Sequence, residues 1–346
     1  MKLTQLLGAC AAIGFAALFL VAPPARAEDK ELNLFCWSEY VPEEVVKGFT
    51  ASTGIKVNQE NYASNEEMLS KLKSGSTKYD LIQPSEYTVE LLVKQKALRP
   101  VDWAKVPNVK NLDPEYTRQG HDPEQKYTVP WMAGSVGIVV NTDKVKDEIA
   151  GYKDVFQDKF KGRIIALNDN RELVSWAMDT QGLDVNKPTK ENLEKVKPIL
   201  RQWIPLVKAW DSDSPKTALL NGDVDLGIVW SGEAALCYQQ DQKFKFVLPK
   251  EGTHKFIDSL CIPADAAHPE AAEKFMNYVL QPEVSKLVSD KFPYTNPNAE
   301  ARKLLTKEQL ANPASYPPGK PKMEIFHDIG PAGADIDQVV TEIKGG

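Results

Sequence analysis

The feature that most constrains this chain is its alternation of strand-like and helix-like segments. Leu32-Asn33-Leu34-Phe35-Cys36 reads as an apolar strand, and Pro42 to Thr53 as a helix opened by proline, with Glu43 and Glu44 in its first turn. Ile55-Lys56-Val57 is a second strand, Glu66 to Lys73 a helix, Tyr79 to Ile82 a strand and Tyr87 to Lys96 a helix. This βαβαβα order predicts a sheet wrapped by helices. The second half repeats the style, with strands at Gly162 to Leu167 and Val224 to Trp230 and helices at Glu172 to Gln181, Lys190 to Leu200 and Gly232 to Gln240. Two further β-rich stretches, Tyr127 to Asn141 and Phe256 to Ile262, lie far apart in sequence and are placed to cross between two α/β lobes, and from Pro269 onward the chain reads as mostly helical. Open α/β sheets bind ligands beyond the carboxyl ends of their strands, so two facing lobes present strand-end loops across a cleft.

The N-terminus reads as an export signal. Lys2 precedes an almost wholly apolar run over residues 11–22, and Pro23 to Ala27 supplies a small-x-small cleavage site, which predicts a signal peptide over residues 1–27. The run falls short of the roughly 20 residues that span a bilayer. Leu7-Gly8-Ala9-Cys10 resembles a lipoprotein box, but most of the apolar segment follows Cys10, which argues against lipidation. The chain carries 48 acidic and 42 basic residues, a formal net charge of −6. Losing Lys2 and Arg26 takes the charge to about −8. An acidic chain with no basic run is a poor partner for nucleic acid or anionic lipid, and suits a cation better. Cys36, Cys237 and Cys261 would survive processing, too few for a disulfide framework; one bridge, Cys237 to Cys261, is the pairing to test.

Aromatic rings and carboxylates recur where strands end. Trp37, Ser38, Glu39 and Tyr40 close the first strand; Ser85 and Tyr87 follow the third; Asp169 and Glu172 follow the strand ending at Leu167; Trp230 ends another; Phe256 and Asp258 sit in the second crossover, and Tyr294 in a proline-rich loop. Taken singly, each has an ordinary explanation, an acid opening a helix as a cap and a strand-end tryptophan as core. Together they form a set suited to a desolvated ammonium. Carboxylates replace its hydration by charge-assisted hydrogen bonds, and ring faces add cation–π attraction of about 2 kcal/mol while lining a methylene chain. Tryptophans beside two carboxylates also describe a sugar cleft, with Glu39 and Glu172 as a hydrolytic pair, though four acids exceed what that chemistry needs. Ala133 to Gly137 brushes against a nucleophile elbow but feeds a strand rather than a helix. His121, His254, His268 and His327 lack metal-ligand spacing and read as surface or loop residues; no phosphate-binding glycine motif is present, and no cofactor or metal is expected.

Over nearly the whole chain after residue 27, segments such as FCWSEYVPEEVVKGFTASTGIKV, YDLIQPSEY, LNDNRE, DVDLGIVWSGEA and KEGTHKFIDSLCIPADA resemble the periplasmic spermidine/putrescine-binding proteins of bacterial ABC uptake systems. The resemblance implies a type II periplasmic binding protein fold, with one lobe from residues 28–133 and 259–302 and the other from 134–258 and 303–346, closing on ligand by hinge motion. It implies a non-enzymatic, periplasmic, monomeric receptor that hands a linear polyamine to a membrane permease; a polyamine sensor using the same cleft is the alternative. Carried over motif by motif, Trp37 to Tyr40, Ser85 and Tyr87 match ligand loops, Asp169 and Glu172 a D-x-x-E pair holding amines, Trp230 a stacking tryptophan, Asp258 the crossover acid and Tyr294 a cleft-edge ring. Two positions depart: Phe256 stands where the spermidine binder has tryptophan, and Phe326 at the match of a glutamine. Both departures favour a shorter diamine such as putrescine.

Overall fold

The computed structural model describes residues 30–75, 77–319 and 321–345; the expected signal peptide and its cleavage site lie outside them. The first part of the chain runs β1 (Glu31–Trp37), α1 (Glu43–Thr53), β2 (Lys56–Tyr62), α2 (Asn65–Ser74), β3 (Leu81–Ile82), α3 (Glu86–Lys94) and β4 (Leu98–Arg99). β1 is the central strand, parallel to β2 on one side and β3 on the other. Leu32, Leu34, Phe35 and Cys36 are fully buried, so β1 is covered on both faces, as a strand between helical layers must be. Local chemistry sets the helix ends. Ser64 Oγ accepts the Glu67 amide at 3.1 Å to cap α2, and α1 stops at Gly54, whose φ of 73° provides the left-handed residue that closes a helix.

β5 (Val129–Asn141), buried along all thirteen residues, carries the chain into a second unit. There follow α4 (Tyr152–Val155), β6 (Ile164–Ala166), α5 (Asn170–Asp179), α6 (Lys190–Trp203), β7 (Val207–Trp210), α7 (Lys216–Leu220), β8 (Leu226–Trp230), α8 (Ser231–Gln240) and β9 (Phe244–Val247). β10 (Thr253–Leu260) returns antiparallel to the first half of β5, then gives way to β11 (Ile262–Pro263), which pairs with β4. α9 (Pro269–Val279), α10 (Pro282–Lys291) and α11 (Ala299–Arg302) complete the first unit, with α9 and α10 packing on α1. After α12 (Lys307–Leu310), β12 (Met323–Glu324) joins β10, and α13 (Ala332–Gly345) packs on α5 and α6. The second sheet has the order β12-β10-β5-β8-β6-β7, with β9 also on β5.

Each unit has its own core. Phe49 and Phe275 meet edge-on at 5.1 Å in the first, while Phe156 stacks on Trp203 at 4.1 Å in the second. Each fully buried side chain of this size contributes roughly 1.5–3 kcal/mol. The structure is therefore the two-unit α/β architecture with paired crossover strands that the sequence implies.

Three expectations are corrected. The crossover strand starts at Thr253, before Phe256, and breaks after Leu260, because Cys261 turns to bond Ile82 of β3. The strands β7 and β9, four residues each, are too short for an alternating pattern to stand out and go unpredicted. Cys36, Cys237 and Cys261 are all free and buried; Cys237 packs beside Leu219 in the second unit and Cys261 beside Phe35 in the first, so the proposed Cys237–Cys261 bridge does not form. Of the four histidines read as surface or loop residues, His254 departs: it is buried within β10, where two carboxylates satisfy its ring, whereas His121, though buried, lies in a turn as expected. Ala133 to Gly137 lies wholly inside β5, which disposes of a nucleophile elbow.

Candidate ligand-binding site

Between the two units lies a cleft of about 910 Å³ including its open mouth, and all twelve residues singled out in the sequence line it. Trp37, Ser38, Glu39 and Tyr40 reach it from the end of β1, Ser85 and Tyr87 from the start of α3, and Tyr294 from the loop after α10. Asp169 and Glu172 come from the start of α5 and Trp230 from the end of β8, while Phe256 and Asp258 project from β10. Glu39 holds φ at 61°, the left-handed region that a non-glycine residue seldom occupies, where the chain turns from β1 toward α1.

The rings form a continuous wall. Trp230 meets Phe256 edge-on at 5.6 Å and 88°, Phe256 meets Tyr294 at 5.8 Å, and Tyr294 meets Tyr40 at 5.3 Å. These separations lie in the favourable range for offset aromatic contacts. The Trp230 ring is fixed by its Nε1–H, which donates to the Ser212 carbonyl at 3.0 Å. Gly134 and Gly232 let the wall close: a Cβ at Gly134 would collide with Phe256, and one at Gly232 with Tyr294.

The acids divide into two kinds. Asp258 is buried and accepts a hydrogen bond from Ser85 Oγ at 2.6 Å and another from the Tyr40 hydroxyl. Ser85 stands at the N-cap of α3 but gives that helix no side-chain cap, because its hydroxyl is turned to Asp258. Burial, reinforced by the nearby Glu86 charge, pushes the Asp258 carboxyl up to about 7 against the pull of the Ser85 bond. Asp169 caps α5 by accepting the Glu172 amide at 3.0 Å, so the cap reading of this residue holds even though it lines the cleft. Asp169 is only half-buried at its surface, but the water lost inside the cleft, with Glu172 and Glu66 close by, raises its carboxyl to about 7 as well. No ion pair among the described residues reaches either aspartate.

Glu39 and Glu172 are paired instead. Both ring nitrogens of His254 face carboxylates, Nδ1 to Glu172 at 2.6 Å and Nε2 to Glu86 at 2.8 Å, so the imidazolium donates to each. Burial opposes that charge, but Glu172 and Glu86 outweigh it and raise His254 to about 9. The second Glu172 oxygen accepts from Trp176 Nε1 at 3.2 Å. Glu39 pairs with Lys216 at 3.0 Å. Sequence reasoning missed Glu233 and Arg171 on the cleft wall, and Lys216 and Glu86 behind it. Phe326 does reach the cleft, stacked at 3.7 Å on His254 and beneath the Arg171 guanidinium at 4.3 Å.

Two α/β units joined by crossover strands, with an acid-and-ring cleft between them, define a two-lobed solute-binding protein rather than an enzyme. Residues 44–317 match the family described as bacterial extracellular solute-binding protein. The chain is 36% identical to the spermidine/putrescine-binding periplasmic protein of Salmonella typhimurium, over 95% of this chain and 96% of the relative. It is 32% identical to the putrescine-binding periplasmic protein of Escherichia coli, over 87% and 86% of the two chains. Among solved structures it is similar to the spermidine/putrescine ABC transporter substrate-binding protein of Streptococcus pneumoniae, with a TM-score of 0.79, 28% identity, and coverage of 92% and 99%. The chain belongs to the bacterial extracellular solute-binding proteins, and its relatives are periplasmic binding proteins.

Proposed function

We propose that this protein captures a linear polyamine, putrescine in preference to spermidine, and delivers it to the membrane permease of an ABC importer. The observation that carries the reading is the pair Asp258 and Asp169, two cleft carboxylates raised to about 7 with no protein cation bonded to either. Such groups are held near neutrality because burial removes their water, and an arriving ammonium supplies the missing counter-charge. The ring wall of Trp230, Phe256, Tyr294 and Tyr40 then takes the methylene chain. Phe256 and Phe326, which offer no indole and no amide, favour the diamine, as does the likeness to a relative named for putrescine. In this reading the signal peptide is cleaved after Ala27, the mature protein works as a periplasmic monomer, and the lobes 28–133 with 259–302 and 134–258 with 303–346 close about the ligand. Glu39 and Glu172, each already ion-paired, are not placed as a hydrolytic acid and base.

Isothermal calorimetry against putrescine, cadaverine, spermidine, agmatine and neutral amino acids tests this. Saturable heat with putrescine foremost is expected. Silence across every amine would overturn it.

A further inference from the structure

We propose that Lys216 is a specificity-determining residue, which caps the number of ammonium groups the cleft accepts at two by pairing in advance with the acids Glu39 and Glu233. The inference rests on the polyamine reading above. Lys216 opens α7 in the second unit and does not itself line the cleft; Glu39 and Glu233 do. Its Nζ donates to Glu39 Oε2 at 3.0 Å, to Glu233 Oε1 at 2.9 Å and Oε2 at 3.2 Å, and to Ser214 Oγ at 3.0 Å. The Lys216 backbone amide adds a further bond to Glu233 Oε2 at 3.2 Å. Both oxygens of Glu233 and one of Glu39 are therefore occupied by the protein's own ammonium.

An ammonium is expensive to desolvate and settles where acceptors are unpaired. At this end of the cleft a ligand meets three charged groups whose sum is −1 and whose best acceptors are filled. Asp258 and Asp169 hold no such partner, so two desolvated ammonium positions remain; Asp213 also lines the cleft without an ion pair among the described residues, but it is exposed at the rim, where an ammonium keeps its water. The group is built to stay this way. The Lys216 side chain is 17% exposed and that of Glu233 is 7% exposed, so this pair is shielded from the screening that weakens surface ion pairs, while Glu39, 49% exposed and bonded through one oxygen, is the looser member. Burial works against the Lys216 charge, but Glu233 and Glu39 prevail and hold its ammonium above its ordinary range; at Glu233 burial outweighs the pull of Lys216 and pushes that carboxyl up, and the geometry of the five bonds is what holds the group together. Glu39 belongs to the loop after β1 and Lys216 to the second unit, so the bond also spans the two halves of the cleft.

The test measures putrescine and spermidine affinities by calorimetry for the wild type, Lys216→Met and the double variant Lys216→Met/Glu233→Gln, with thermal melting of each to establish folding. Uncovering the acids in Lys216→Met is expected to raise the spermidine-to-putrescine affinity ratio by on the order of tenfold or more, because a third ammonium gains unpaired partners. The double variant restores the wild-type charge sum while removing one of the uncovered acids, and its ratio is expected to fall back toward wild type. An unchanged ratio in Lys216→Met would overturn the proposal. So would an equal loss of both affinities, which marks Lys216 as a tie between the lobes only, or a gain that survives intact in the double variant. A wild type that binds no amine, by contrast, sinks the polyamine reading itself and this inference with it.

Discussion

Replacing Asp258 by asparagine should weaken ligand binding and, in the empty protein, strengthen the fold. Asparagine keeps the shape and an oxygen to accept from Ser85 and Tyr40, but removes the charge. Burial lifts the carboxyl from its ordinary value of 3.8 to about 7 in the empty cleft. Between about pH 4 and 7 the folded protein keeps a proton that the unfolded chain has released, so this group makes stability fall as pH rises through that window. Above pH 7 the buried charge costs the empty protein up to about 4 kcal/mol, at 1.36 kcal/mol per unit. Relief of that cost should raise the melting temperature of the ligand-free variant at about pH 8 by on the order of 5 °C. Binding moves the other way. A buried ammonium deprived of its counter-charge loses about 3–5 kcal/mol, a drop in putrescine affinity of a hundredfold or more by the same order-of-magnitude reasoning. The assay is calorimetry with putrescine alongside scanning calorimetry without ligand. Affinity within about threefold of wild type, or an empty variant that melts lower than wild type, would refute the assignment of Asp258 as the ammonium's partner.

Putrescine affinity itself should fall by about tenfold per pH unit below 7 for each of Asp258 and Asp169, since each must ionise to bind, and level off above about pH 8; a flat profile from pH 5.5 to 8 would contradict this. Trp230→Ala should cost on the order of 1–2 kcal/mol of binding through lost cation–π contact, read by calorimetry. Phe256→Trp should shift selectivity toward spermidine, measured as the ratio of the two affinities. The Glu86–His254–Glu172 bridge contributes stability that is fully present below the unfolded histidine value of about 6.5 and is lost as pH rises through about 9, visible as a falling melting temperature that His254→Leu, destabilised by about 3–5 kcal/mol at pH 7, no longer shows.

The sequence announces the parts of this molecule that repeat a short-range pattern. Apolar strands followed by helices locate β1, α1 and α5 within a few residues, while the polar stretch Asn58 to Tyr62 hides most of β2, and rings and acids at strand ends mark the cleft before its walls are assembled. The ion pairs that divide those acids into occupied and open ones depend on distance in space, and they were not legible. Glu39 meets Lys216 across 177 positions of sequence, and Glu86 meets His254 across 168. One further signal lies in the strand pattern. His254, Phe256 and Asp258 alternate along a strand, and a period of two sets them on a common face, so the histidine belonged with the cleft residues rather than the surface ones. β7 and β9 escape because each is only four residues long, so an alternation such as Phe244-Lys245-Phe246 is too brief to mark a strand.

A crystal structure of the protein grown with putrescine tests the central claim most directly. The account predicts the four-carbon chain against Trp230 and Phe256, one ammonium within about 3 Å of Asp258 and the other beside Asp169. A diamine bound elsewhere, or lying in the cleft with both ammonium groups turned away from the two aspartates, would contradict it.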